Sequence, residues 1–100
     1  MQEQISQAVQ IALQGTRQIN ITFKEETAAT GYIIFLLEMK RNGNILLTDS
    51  DEIMLRYISH HNRWEPGRSY TILITLTKKF NEKMFIEQMH HALKEIEAVN

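Results

Sequence analysis

The chain has 100 residues, 43% of them hydrophobic and 23% charged, which is the composition of a globular domain and not of a disordered segment. It contains no cysteine, so disulfides, thiolate metal sites and cysteine nucleophiles are excluded. A net charge of −1 offers no general attraction to nucleic acid or anionic membrane, and the longest apolar run, Tyr32 to Leu37, falls far short of the roughly 20 residues a bilayer span needs.

The opening Met1-Gln2-Glu3-Gln4 lacks the basic start and apolar run of a secretory signal, which gives the expectation of a cytoplasmic protein without a membrane partner. No repeat or low-complexity tract interrupts the chain, and residues 1–100 are expected to form one compact domain. Residues 2–14 carry Ile5, Ala8, Val9, Ala12 and Leu13 at helical spacing, with Gly15 as the stop. The opposite face, Glu3, Gln7, Gln10 and Gln14, is polar but almost uncharged, and is a candidate surface for a partner. Ile19 to Lys24 alternates apolar and polar residues as a half-buried strand does.

Tyr32 to Lys40 opens with aromatic and β-branched residues and reads as a strand buried on both faces. A helix over 27–41 ending at Asn42-Gly43 is the alternative. The strand reading is preferred because Arg41-Asn42-Gly43-Asn44 suits a two-residue hairpin turn, with Ile45 to Thr48 as the returning strand. Asp49 to Asn62 reads as a helix capped by Asp49, with Glu52 three residues on. Its apolar face is Ile53, Met54, Tyr57, Ile58 and His61; a strand is the competing reading, since Ile53, Leu55 and Tyr57 also alternate. Arg68 to Phe80 reads as a strand, with Tyr70, Ile72, Ile74 and Leu76 inward. Glu82 to Val99 reads as one long helix with Asn81 as N-cap. The expected fold class is α+β in the order α-β-β-β-α-β-α. A mostly antiparallel sheet of about four strands is packed by N-terminal, central and C-terminal helices.

Few residues carry a legible chemistry. Glu38-Met39-Lys40, read on a strand, puts a carboxylate and a lysine on one sheet face, where they could hold a metal and orient water. With the α-β-β opening, this pattern resembles the PD-(D/E)xK nuclease superfamily. The resemblance covers three residues and a coarse topology, and the further acid that family carries on a neighbouring strand has no counterpart in Ile19 to Lys24. Asp49-Ser50-Asp51-Glu52 clusters acids as a cation site does, but acids at a helix start are favoured by the helix dipole. The doublets His60-His61 and His90-His91 do not chelate within themselves, because helical neighbours point about 100° apart. Glu87, His91 and Glu95 share one helix face. His61 is expected to be partly buried and His60 exposed. No catalytic residue, metal ligand or cofactor is assigned.

The segment from Arg56 to Arg68 holds three arginines against one glutamate, together with the only tryptophan. Arginine and tryptophan dominate binding hot spots. Arg56, His60, Arg63, Trp64 and Arg68 are therefore the candidate partner-binding residues. The competing reading is that Trp64 folds back on the core while Pro66-Gly67 turns the chain. The expected function is a small non-enzymatic interaction or regulatory module whose partner is another protein or a second copy, reached through residues 60–68 and the neutral face of the first helix. The alternative is a nucleic-acid-associated protein, binding through the Arg/Trp segment or acting through Glu38 and Lys40.

Overall fold

In this computed structural model the described residues are 2–24, 26–61, 64–90 and 96–100, with side chains described from residue 5 in the first helix and from residue 31 in the second. Helices and strands alternate strictly: α1 (Gln2–Gln14), β1 (Gln18–Phe23), α2 (Glu26–Arg41), β2 (Ile45–Leu47), α3 (Asp49–His61), β3 (Tyr70–Leu76), α4 (Glu82–His90) and β4 (Ile96–Val99). The strands form one antiparallel sheet in the order β2-β3-β1-β4. The α+β class and the four-stranded antiparallel sheet agree with expectation. The element order does not.

The first correction concerns residues 32–40, which are the body of α2 and not a strand. Ile33, Leu36 and Met39 are fully buried at helical spacing, and Leu36, Leu37, Glu38, Met39 and Lys40 are all strong helix formers. Asn42-Gly43 ends this helix instead of turning a hairpin. Gly43 N–H donates to the Lys40 carbonyl at 3.1 Å and Asn44 N–H to the Met39 carbonyl at 2.9 Å. With Gly43 at φ +80°, these are the paired bonds of a Schellman cap. A helix C-cap and a hairpin turn both demand a residue at positive φ, so Asn-Gly alone does not tell them apart.

The second correction is at the other end of the chain. The helix over 82–99 is expected as one piece, but α4 is described over Glu82–His90 and residues 96–99 are strand β4. Ile96 and Ala98 pair opposite Phe23 and Ile21, on the free edge of β1. That edge would otherwise leave a row of backbone donors and acceptors unpaired, a cost that outweighs the weak helical pattern of Ile96 and Val99. Residues 91–95 lie outside the described ones, as do Asn62 and Arg63. The start of α4 agrees with expectation: the Asn81 carboxamide accepts from Met84 N–H at 3.0 Å.

The strand faces explain the layering. Ile19, Ile21, Phe23, Tyr70, Ile72, Ile74, Leu76, Ile45, Ile96 and Ala98 form one buried face, continuous with Val9 of α1, Leu36 of α2, Leu55 of α3 and Phe85 of α4. The other face carries Gln18, Asn20, Thr22, Thr71, Leu73 and Thr75, none of them buried. The fold is thus two layers, helices over a sheet with one face uncovered. Arg17, at φ +63°, clamps the end of α1 to the sheet; its Nε and Nη2 donate to the Leu76 and Thr77 carbonyls, each at 2.7 Å.

At the start of α3 the cap is Thr48, one residue before the expected Asp49. Its hydroxyl accepts from Asp51 N–H at 3.1 Å and its carbonyl from Glu52 N–H at 2.9 Å. The side chain of Asp51 reaches across to accept from Leu73 N–H at 3.1 Å. β2 ends opposite Ile74, so this carboxylate serves a β3 donor lying beyond the last rung.

Candidate functional site

Chain geometry divides the Arg/Trp segment into two parts. After α3 the chain returns to β3 through a tight turn closed by Arg68 N–H donating to the Glu65 carbonyl at 3.1 Å. Pro66 takes the second position of that turn and Gly67, at φ +75°, the third, the residues that a type II turn selects. The turn carries the half-buried Trp64 back onto the core, where its ring and that of Tyr70 meet edge to face with centroids 4.5 Å apart. The indole N–H donates to the Arg68 carbonyl at 3.1 Å. The guanidinium of Arg68 lies over the opposite partner of that contact, 4.8 Å from the Tyr70 centroid, and pairs with Glu65 at 3.2 Å.

Between this turn and α3 runs an open groove of about 560 Å³, bordered by Met54, Tyr57, Trp64, Glu65, Arg68 and Tyr70. Its rim on α3 is apolar and wet. Tyr57 is 49% exposed there, and Ile53, one turn earlier on α3 and outside the groove lining, is 69% exposed, although both belong to the face expected to be core. Ile58 is buried as expected, and Leu55, not assigned to that face, is buried as well. His61 is exposed rather than partly buried, with its ring 4.8 Å from Tyr57; His60 is exposed, as expected. Five of the six residues from Ile53 to Ile58 are apolar, more than a single buried stripe holds, and that excess was the available signal for Tyr57 and Met54.

Arg56 and His60 do not join Trp64 and Arg68. They face α2 across a shallow cavity of about 180 Å³, together with Ile34, Glu38 and Arg41. Adjacent helix positions point about 100° apart, which sends Arg56 and Tyr57 to different grooves. Arg63 lies outside the described residues. The described arginines of the segment are ion-paired within the fold. Glu52 accepts from Arg56 at 3.0 Å and from Lys40 at 2.8 Å, and Glu65 pairs with Arg68. Those bonds from Lys40 and Arg56 hold the Glu52 carboxyl below its ordinary pKa.

The remaining candidates separate as well. Glu38 and Lys40 lie on a helix, where two residues apart means nearly opposite sides. Glu38 pairs with Arg41 at 2.8 Å and Lys40 with Glu52. The shared sheet face on which the nuclease-like pattern depends is therefore not formed. Among the described residues no three acids or histidines gather as metal ligands, and the Glu87, His91 and Glu95 set falls partly outside them. On α1, Gln7, Gln10 and Gln14 are exposed, and Gln10 donates to the Glu82 carboxylate of α4.

No family model, no curated protein and no solved structure matches this chain. The groove's own chemistry is therefore the guide to its use. Among the described residues no helix is long and apolar enough to cross a membrane.

Proposed function

We propose that this chain is a small, non-enzymatic, cytoplasmic interaction module that docks a segment of another protein in the groove between α3 and the 64–70 turn. One observation carries the reading: a groove of about 560 Å³ with tryptophan and tyrosine walls, in which Tyr57 is 49% exposed. Ligand-binding clefts fall in this size range, and tryptophan and tyrosine are enriched at binding hot spots. The neutral glutamine face of α1 is a secondary contact in this reading. The nucleic-acid alternative is the less favoured, since two of the arginines that motivate it, Arg56 and Arg68, face different cavities and pair with Glu52 and Glu65.

Tyr57→Glu tests the proposal, because an exposed ring can be replaced there without opening the core. A partner recovered with the unmutated chain from its native host should be lost with Tyr57→Glu while the helical circular dichroism is unchanged. Retention of the same proteins by both chains would refute the groove as the docking site. Light scattering on the two chains separates a second copy from a different protein as the occupant.

A further inference from the structure

We infer that the groove is built to recognise a guanidinium, that of an arginine on the partner protein, and that Arg68 occupies its place in the free chain. The inference rests on the docking reading above and names the chemistry of its ligand.

Arg68 makes the two contacts that a guanidinium seeks on a protein surface. Its Cζ stands 4.8 Å from the centroid of Tyr70, and its Nη1 lies 3.2 Å from the Glu65 carboxylate. Neither contact is locked in. The Arg68 side chain is 54% exposed and that of Glu65 71%, and an ion pair in such a setting contributes little net stability. An incoming guanidinium would exchange like contacts for like, and would gain the ring surfaces of Trp64 and Tyr57 on the same groove. Among the described residues Glu65 is the only carboxylate lining that groove, so moving Arg68 aside leaves its exposed negative charge at the edge of a groove that three aromatic rings line. This combination favours a flat, weakly hydrated cation over a neutral or anionic group.

The architecture of the turn permits the exchange. Trp64 is anchored by its indole bond to the backbone carbonyl of Arg68, and the turn is closed by the backbone N–H of the same residue. Both bonds survive loss of the Arg68 side chain. Arg68→Ala should therefore empty the site without dismantling its walls.

Because Trp64 is the sole tryptophan, its emission reports binding directly. The probes are N-acetyl-arginine amide and its uncharged isostere N-acetyl-citrulline amide. Arg68→Ala should bind the arginine probe about tenfold more tightly than the unmutated chain, a change of about 1.4 kcal/mol. It should prefer that probe to the citrulline one, and Glu65→Gln in the same background should abolish the preference. Arg68→Gln, which keeps a polar stem without the charge, serves as the second variant should Arg68→Ala fold poorly. Equal binding of the two probes, or no tighter binding by either Arg68 variant, overturns the inference. Equal binding leaves the docking reading standing, because the groove then takes a ligand without reading its charge. Failure of the docking reading shows independently in the Tyr57→Glu comparison.

Discussion

Gly31 and Gly43 lie near the start and just beyond the end of the same helix, and replacing each with alanine should move stability in opposite directions. At Gly31 an added Cβ meets nothing within 4 Å, and the position is exposed within α2. The substitution therefore yields only the helix-propensity gain, about 0.5–1 kcal/mol. At Gly43 the nearest atom to an added Cβ is the Lys79 Cδ at 3.7 Å, an ordinary contact, so no clash contributes. The cost is the left-handed backbone at φ +80°, about 1–2 kcal/mol, partly offset by the smaller entropy of the unfolded chain. A net loss of about 1 kcal/mol remains. The two variants should then differ by roughly 2 kcal/mol, or about 8–16 °C in Tm for a chain of this size. Asn42→Ala completes the set. Arg17 is the only non-glycine at positive φ among the described residues, so alanine at 42 should be neutral or slightly stabilising. In a two-residue hairpin both turn positions need positive φ, and Asn42→Ala would cost about as much as Gly43→Ala. Urea titrations followed by Trp64 emission and far-ultraviolet circular dichroism give the three values. A destabilising Gly31→Ala, or an Asn42→Ala as damaging as Gly43→Ala, would refute the helix assignment.

Phe85 is fully buried, with the rings of Phe80 and Phe35 at 5.3 and 6.5 Å, so Phe85→Ala should lose about 3–5 kcal/mol in the same titration and Phe85→Leu far less. Thr48→Ala removes the acceptor for Asp51 N–H and should cost about 1 kcal/mol, which Thr48→Ser restores. The Glu52 carboxyl is lowered from its ordinary 4.5 by Lys40 and Arg56, so its stabilising contribution is present above that pH and is lost as pH falls through the folded value. The stability difference between the unmutated chain and Glu52→Gln should accordingly shrink on acidification below about pH 4.5; a difference that is constant from pH 7 to 3 would contradict the pairing.

Where one period dominates a segment, the sequence is readable on its own. α1, β1 and α3 fall where residues 2–14, Ile19 to Lys24 and Asp49 to Asn62 place them, and β3, Tyr70–Leu76, lies within the longer strand read over Arg68 to Phe80. α2 was not legible, because a continuous apolar run suits a buried strand and a buried helix equally and because Asn-Gly serves the ends of both. β4 was hidden for a different reason. Ile96 and Ala98 take their strand geometry from β1, a partner more than seventy residues away that no local pattern reveals. At the site, Trp64 and Arg68 were visible from residue type alone. Tyr70 belongs to the core as its strand pattern predicts and also walls the groove, whereas Tyr57, on the apolar face of α3 in sequence, is exposed; closeness in sequence groups Arg56 and His60 with Trp64, which helix geometry undoes.

The sheet order has a consequence for how the chain reaches this fold. No two neighbouring strands are joined by a hairpin; the least separated rung couples Leu47 with Ile74, the β1–β3 rungs bridge about half of the chain and the β1–β4 rungs most of it. Every rung must therefore close a long loop before it returns any energy, while the helices can form locally at once. Folding should pass through a search in which preformed helices await the meeting of β1 with β3, on the milliseconds-to-seconds scale typical of non-local topologies. During that search the flanks of the future central strand, Ile19 to Phe23, stand open to strands of other molecules, so refolding yield should fall as protein concentration rises.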